Sequence, residues 1–309
     1  MNLNFRVVKN VEEAKKYWEF FSPHQSLDDL WEFRYTWFKF LDLSLHFLVG
    51  FDRDKPIGLL PLQKNTLKGL APRLLGMDQP FLEFFGGVDT DDNGVYLVTG
   101  YEEAAKEFLT QIKEPAVLTS LKDPLKLGSN EAVFYLDRFA VNLDGATSFD
   151  SWVDKHLSGK VRKNVKHELR RNKMEGFKVE VQEGNEEDLQ LLYNFSIARF
   201  GERSSFNLEY RRKVFEEFFK LFQADIFKIV LNGETKAVVF GIVHNRIYTG
   251  LNAGYDYSVP NLGKFMFTTS VEQAVKLGCK IYDAGQGDNN WKTRLHITQI
   301  PQYKLTLNL

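Results

Sequence analysis

An aspartate, two glycines and a lysine follow one another closely near the C-terminal end of the sequence. Asp283 ends a short apolar run, Gly285 and Gly287 come next, and Lys292 follows them. An aspartate at a strand end can accept the proton of an amine or orient it, and a lysine can stabilise an oxyanion or bind a phosphate. These residues are therefore candidates for a reaction centre. The alternative is a salt bridge that only shapes the loop.

A turn-rich loop and a helix precede this segment. The apolar residues after the loop recur at helical spacing, and Gly278 is placed to end the helix. The order strand, loop, helix and strand directs the free N–H groups of the helix start towards the loop. We therefore expect four backbone N–H groups to hold anionic groups of a donor, with an ordinary crossover without ligand as the alternative. They belong to Leu262, Gly263, Lys264 and Phe265.

The most charged stretch lies in the middle of the sequence. From Lys155 to Lys173 it contains eight Lys or Arg residues against one acid, Glu168, in a chain whose net charge is −1. Such a one-sign run predicts an anionic ligand, with a solvated helix face as the alternative. We expect Arg162 and Lys163 to add positive charge at the donor site or to bind a phosphorylated acceptor.

Two tyrosines bracket the apolar run before the turn-rich loop. Tyr248 and Tyr255 are candidates for the acid that protonates the leaving group. The alternative for each is packing in the core, because a tyrosine contributes mainly apolar surface.

Composition limits the classes of protein to consider. The 309 residues are 43% hydrophobic and 26% charged, which suits a globular chain with room for two domains. The near-neutral charge does not favour DNA or a membrane surface. The single cysteine, Cys279, excludes a disulfide framework and is expected to be a buried thiol. Without a leader or an apolar run of about 20 residues, we expect a cytoplasmic protein with no transmembrane segment.

Other chemistries lack their motifs. The six histidines have neither H-x-x-x-H nor H-E-x-x-H spacing, so no metal site is expected. The sequence contains no G-x-S-x-G and no G-x-x-x-x-G-K-[ST] pattern, which disfavours hydrolases and nucleoside triphosphatases.

The same order of elements occurs twice. Residues 43–64 and 225–243 each read as strand, charged turn and strand, and the second contains the hairpin dipeptide Asn232-Gly233. Two helical patterns precede each hairpin. The character of the sequence changes near residue 145, which predicts one domain over 1–145 and a second over 146–309.

The run VPNLGK…AVKLGCKIYDAGQGDNNWK resembles the signature of the CelD/FemAB-like acetyltransferase group in the GNAT superfamily of N-acetyltransferases. The basic stretch, the helix with Trp37 and the strand over 58–62 fit the same group. The resemblance implies an α+β chain, a tandem of two GNAT-like acyl-CoA N-acyltransferase folds with the first degenerate, each a mixed sheet flanked by helices. The loop departs from the GNAT pattern, since Pro260 and Phe265 stand at its outer positions.

The resemblance implies an N-acyltransferase that transfers an acyl group from an acyl-CoA, such as acetyl-CoA, to an amine on a small molecule, sugar or peptide. A Fem-type peptidyltransferase is one alternative. It would use aminoacyl-tRNA on a cell-wall precursor, and the basic stretch would bind RNA phosphates. No long helical insertion of the kind that those enzymes often carry is visible, which favours the acyltransferase. A ligand-binding protein that kept the fold without catalysis is the other alternative.

Overall fold

A computed structural model of the protein describes residues 3–128, 130–171, 177–222, 224–287 and 291–309. The chain divides into two compact units, one of Met1–Leu136 with Pro301–Leu309 and the other of Asp137–Ile300. The sequence suggests a single boundary near residue 145, whereas the last residues of the chain join the first unit. As functional domains, 1–145 and 146–309 stay a prediction.

The strands and helices follow one another in the order that the repeated pattern predicts. The strands are β1 (Leu3–Val8), β2 (Ser44–Asp52), β3 (Lys55–Asn65), β4 (Phe81–Phe84), β5 (Tyr96–Leu97), β6 (Ala116–Leu121), β7 (Lys126–Leu127), β8 (Asn130–Glu131), β9 (Val133–Asn142), β10 (Val179–Glu183), β11 (Ala224–Leu231), β12 (Glu234–His244), β13 (Ile247–Tyr255), β14 (Ile281–Gln286) and β15 (Thr298–Leu307). The α-helices are α1 (Val11–Phe21), α2 (Trp31–Lys39), α3 (Ala71–Leu75), α4 (Ala105–Thr110), α5 (Phe149–His156), α6 (Gly159–Arg171), α7 (Asp188–Phe200), α8 (Glu209–Leu221), α9 (Leu262–Lys276) and α10 (Trp291–Arg294).

The two units share one strand topology. In the first, β1, β2, β3 and β4 pair antiparallel in that order, and β4 then pairs parallel with β6. In the second, β10, β11, β12 and β13 pair antiparallel, and β13 pairs parallel with β14. Antiparallel strands extend each sheet, β15 along β6 and β9 along β14. Each unit is therefore a mixed sheet with helices packed on it, and the predicted α+β tandem of GNAT-like folds is confirmed.

Both predicted hairpins are present. Asn232 and Gly233 connect β11 to β12 with positive φ angles of 53° and 87°, as a two-residue turn of the mirror-image type requires. A proline in a sheet usually marks an edge strand or a bulge, but Pro61 lies within β3, opposite Phe47 of β2, and β3 is paired on both sides. Its carbonyl accepts a hydrogen bond from the N–H of Phe85, so the missing proline N–H interrupts the ladder at only one position.

The core of the first unit is rich in aromatic side chains. Trp18 and Trp31 pack with Phe47 and Phe85 in one buried cluster. Beside this core, the buried carboxyl of Glu83 accepts hydrogen bonds on one oxygen from two amide side chains. Burial raises the pKa of Glu83 to about 7.

Helices cover both faces of the sheet in the second unit. Val239 and Phe240 are successive residues of β12 and so point to opposite faces. Leu262 of α9 packs in the cluster that contains Val239, whereas Phe215 of α8 contacts the ring of Phe240. Gly254 of β13 pairs with Val238 and lies against α7. Helices α7 and α8 thus share one face, and α9 covers the other.

Candidate active site

The neighbouring strands β13 and β14 pair over only part of their length. The parallel register joins Ile247 to Ile281, Tyr248 to Tyr282 and Thr249 to Asp283, and it stops there. Just beyond this point each strand has an irregularity against its other neighbour. These lie beside Gly250 in β13 and between Asp283 and Gln286 in β14. Because a bulge bends its strand, the two strands separate and leave a gap in the sheet.

A cavity of about 420 Å³ opens where the two strands separate. Both faces of the sheet contribute to its wall, since Arg199 belongs to α7 and Met266 to α9. The cavity therefore passes through the sheet. Its lining residues are Arg199, Phe200, Val239, Gly250, Leu251, Asn252, Ala253, Tyr255, Gly263, Met266, Phe267, Ser270, Tyr282, Ala284, Gln286 and Lys292.

Lys292, a candidate for the reaction centre on sequence grounds, lines this cavity. It is only 6% exposed, and its ammonium group donates to the carbonyl oxygen of Ala284 at 2.8 Å and to that of Gln286 at 3.4 Å. The nitrogen also lies 5.0 Å from the ring centre of Phe139. The side chain is thereby anchored on β14 with its charge at the cavity wall. Asp288, Asn289 and Asn290 of the same motif lie outside the described residues.

Gly263 and Tyr255 meet at the start of α9. A Cβ atom at Gly263 would lie 2.5 Å from the hydroxyl oxygen of Tyr255, so this close approach requires glycine. Both residues line the cavity, and burial raises the pKa of Tyr255. The structure thus brings together one predicted phenol and one predicted residue of the donor loop.

The side chains of the other residues in that loop face elsewhere. Leu262 is fully buried among apolar residues, and Phe265 packs against the same cluster. The amides of Lys264 and Phe265 donate to the carbonyl of Asn261, which precedes the helix with a positive φ of 63°. Only Gly263 of the four predicted residues lines the cavity.

Asp283 does not pair with Lys292. Its carboxylate forms a two-point ion pair with the guanidinium of Arg138, and it also accepts the N–H of Gly285 at 2.9 Å. Asp283 is 2% exposed and is absent from the cavity lining. These contacts of the carboxylate stabilise the irregular end of β14.

Tyr248 is likewise engaged away from the cavity. Its hydroxyl group donates to a carboxylate oxygen of Asp225 at 2.8 Å, and Gln273 donates to the other oxygen at 3.1 Å. Burial raises the pKa of Tyr248 well above its usual value. The structure places Tyr248 in the core, where the alternative interpretation of the sequence put it.

Tyr282 is a functional candidate that the sequence did not single out. Its ring lines the cavity together with Ser270, whose hydroxyl group donates to the backbone oxygen of Met266 at 2.8 Å. A Cβ atom at Gly250 would lie 3.0 Å from the hydroxyl oxygen of Tyr282, which places the phenol where β13 and β14 separate. Burial raises the pKa of Tyr282. The period of a strand could have identified it, since Tyr282 points to the opposite face from its neighbour Asp283.

Helix α6 carries the predicted basic residues outside the cavity. Arg162 and Lys163 are exposed, and the guanidinium of Arg162 donates to the backbone oxygen of Asp154 at 3.4 Å. Lys166 forms an ion pair with Asp154 at 2.6 Å, which compensates part of the local charge. Neither Arg162 nor Lys163 lines the cavity.

The described residues contain neither a group of metal ligands nor a helix that could span a membrane. In those residues, no three His, Cys, Asp or Glu side chains are grouped as metal ligands. None of the described helices has the length and apolarity needed to cross a membrane. Cys279 is buried, and burial raises the pKa of its thiol.

Comparisons with known proteins place this fold. No curated protein matches the sequence. Among solved structures, FemX has a TM-score of 0.58 at 12% identity, with 99% of this chain and 98% of that chain covered. A tandem GNAT protein from the clavulanic acid biosynthesis pathway has a TM-score of 0.53 at 11% identity, with coverage of 99% and 98%.

A third similar structure is the C-terminal DUF2156 domain of an Agrobacterium fabrum protein assigned as a lysylphosphatidylglycerol synthetase. Its TM-score is 0.55 at 13% identity, with 96% of this chain and 92% of that chain covered. At these identities the likeness concerns the fold. Residues 159–293 match the family described as an acetyltransferase (GNAT) domain, and this segment contains the cavity. Residues 159–293 are therefore similar to the acetyltransferase (GNAT) domain, within a chain that shares its fold with FemX and with a tandem GNAT protein.

Proposed function

We propose that the protein is an N-acyltransferase that moves an acyl group from an acyl-CoA thioester to an amine. The observation that carries this proposal is the gap between β13 and β14, which pair up to Thr249 and Asp283 and then enclose a cavity of about 420 Å³. A gap through a sheet lets two substrates approach one point from opposite faces.

The donor fits the unpaired strand edges. Beyond Thr249, the edge of β13 that faces β14 pairs with no strand among the described residues, so its N–H and C=O groups can pair with an extended ligand. The arm of coenzyme A carries two amides and is suited to such pairing. At the start of α9, the N–H of Gly263 and the helix dipole would hold its phosphates.

The chemical step forms a C–N bond and breaks a C–S bond. The amine nitrogen attacks the thioester carbonyl, the carbonyl oxygen becomes negative, and the thiolate leaves and takes up a proton. Burial keeps the phenols of Tyr255 and Tyr282 protonated by raising the pKa of each, so either can donate that proton. The ammonium of Lys292 is the donor that we assign to the oxyanion.

No carboxylate is among the described residues that line the cavity. The amine therefore attacks in its neutral form, and the N–H proton that it loses as the amide forms passes to solvent. We assign Asp283 and Tyr248 to positioning, through Arg138 and Asp225, since both are hydrogen-bonded outside the cavity wall.

Release of free thiol from acetyl-CoA tests this function directly. A panel of small amines, amino sugars and peptides supplies the acceptors, and the wild-type protein should release thiol with at least one of them at a rate that saturates. Tyr282→Phe should lower that rate, with the melting temperature as a check on folding. Thiol release equal to that of buffer across the panel would reject the proposal.

A Fem-type aminoacyl-tRNA-dependent peptidyltransferase is the second candidate. It is favoured by the exposed cations of α6, where Lys160, Arg162, Lys163 and Arg170 lie at the surface. Such a surface suits RNA phosphates, whose binding weakens steeply with salt. Transfer of the aminoacyl group from charged tRNA, without thiol release from acetyl-CoA, would favour this candidate.

A further inference from the structure

Arg199 differs from the other cation of the cavity in what surrounds it. Lys292 is held by carbonyl oxygens of β14, whereas Arg199 is exposed at the end of α7. Over the ranges that the structure describes, its contacts are with aromatic rings, and it makes no ion pair. The described residues of the cavity lining also include no Asp or Glu, so none of them offsets the charge of Arg199.

Aromatic faces fix the position of this guanidinium. Its carbon lies 4.1 Å from the ring centre of Tyr257, 4.5 Å from that of Phe200 and 6.0 Å from that of Tyr255. Tyr257 is itself stacked on Tyr255, with ring centres 4.2 Å apart. Contacts with ring faces leave the N–H donors in the guanidinium plane available for an oxyanion. The arginine is thus held in place without using its hydrogen-bonding capacity.

Arg199 and the donor loop belong to helices on opposite faces of the sheet. Arg199 lies in the last turn of α7, which packs on the same sheet face as Gly254, whereas Gly263 lies in the first turn of α9 on the opposite face. Both residues line the one cavity, which passes between the faces. A donor whose phosphates lie at the start of α9 therefore leaves the α7 side to the second substrate.

We propose that Arg199 binds a carboxylate or phosphate group of the amine acceptor, so that the acceptor of this protein is an anionic amine. The assignment of the two sides to donor and acceptor rests on the proposed acyltransferase function. The binding of an anionic amine at Arg199 is a separate property and can be measured without turnover.

Two matched pairs of amines test the proposal by calorimetric titration of the full chain, with and without saturating coenzyme A. Alanylalanine is compared with alanylalaninamide, and O-phosphoethanolamine with ethanolamine. The wild-type protein should bind the anionic member of at least one pair about tenfold more tightly or better, the scale of a charge-assisted hydrogen bond. The pair that shows this preference tells whether the group is a carboxylate or a phosphate.

Three variants connect the preference to the arginine. Arg199→Gln should reduce the ratio of affinities to near one, and Tyr257→Ala should weaken it by freeing the guanidinium. Arg203→Ala removes an exposed arginine outside the cavity lining and should keep the ratio. Arg199→Gln should leave the affinity for coenzyme A unchanged.

Several results would overturn the proposal. These are equal affinity for both members of each pair, no binding of any member, or a preference that survives Arg199→Gln. Loss of coenzyme A binding in Arg199→Gln would assign the residue to the donor instead. Failure of the wild-type protein to bind coenzyme A, with the anion preference intact, would reject the acyltransferase function and keep the anion site.

Discussion

Arg138 and Asp283 form a buried ion pair that joins β9 to β14 at the place where β14 becomes irregular. The side chains are 8% and 3% exposed, and 145 positions separate them in the sequence. Asp283 also accepts the N–H of Gly285, whose φ is +66°. The pair therefore fixes the bend that directs β14 away from β13 and opens the cavity.

Asp283→Asn should lower stability far more than a surface substitution does. Removing one partner of a buried ion pair costs about 3–5 kcal/mol, because the other partner, here Arg138, loses the carboxylate with which it is paired. Urea unfolding at neutral pH measures the loss. The double variant Arg138→Met with Asp283→Leu removes both charges and should recover much of it. If Asp283→Asn has an unchanged unfolding midpoint and a large loss of turnover, this aspartate takes part in the reaction and does not only stabilise the fold.

Lys292→Ala should lower turnover by about 10²-fold, the scale of losing one donor to an oxyanion. Because its ammonium also binds the carbonyl oxygens of Ala284 and Gln286, some stability should be lost as well. The rate of thiol release at saturating donor separates the two effects. Lys264→Ala, in the donor loop and outside the cavity lining, is the matched control. Parental turnover in Lys292→Ala would limit the lysine to a structural role.

Gly263→Ala should weaken donor binding. The added methyl group would lie 2.5 Å from the hydroxyl oxygen of Tyr255, so the ring must move into the cavity or the helix must shift. The change in affinity for coenzyme A measures the effect. Removing the ring contact in the double variant Gly263→Ala with Tyr255→Ala should relieve the clash. A single variant that binds as the parent does would show that the start of α9 is not part of the donor site.

Glu83 should make the first unit less stable as pH rises from about 4.5 to about 7. Burial raises the pKa of its carboxyl to about 7, so over this range the folded protein binds more protons than the unfolded chain. The shift corresponds to about 3 kcal/mol in the free energy of unfolding. Urea midpoints across this range should fall for the wild-type protein and change much less for Glu83→Gln. An identical pH dependence in both proteins, with exposed Glu202→Gln as control, would contradict this assignment.

Local patterns predicted the elements well. The Asn232-Gly233 turn and the helical spacing after Leu262 are encoded within a few residues, and both occur where expected. The helix that contains Trp37 is preceded in the structure by a short 3-10 turn over Leu27–Asp29, and α2 begins at Trp31. The buried carboxylate of Asp29 accepts the N–H groups of residues 25 and 26, which favours a separate cap there.

The site depends on relationships that no local pattern contains. Arg138 comes from a strand far from Asp283 in the sequence, so the partner of this aspartate could not be identified. The bulges that separate β13 from β14 become visible only in the register of three neighbouring strands. Arg199 lies in the last turn of a helix whose sequence shows no functional motif. Only the packing of α7 in the folded chain brings this residue to the cavity.

Calorimetric titration of acetyl-CoA into the wild-type protein and into Met266→Trp tests whether the gap between β13 and β14 binds the acyl donor. Met266 lies on α9 and lines the gap between β13 and β14, so an indole ring there should fill space that the donor needs. We expect one binding site for acetyl-CoA in the wild-type protein. In the variant, which should still unfold cooperatively, we expect the affinity for acetyl-CoA to fall by about tenfold or more. No binding by the wild-type protein, or equal binding by the two proteins, would contradict this expectation.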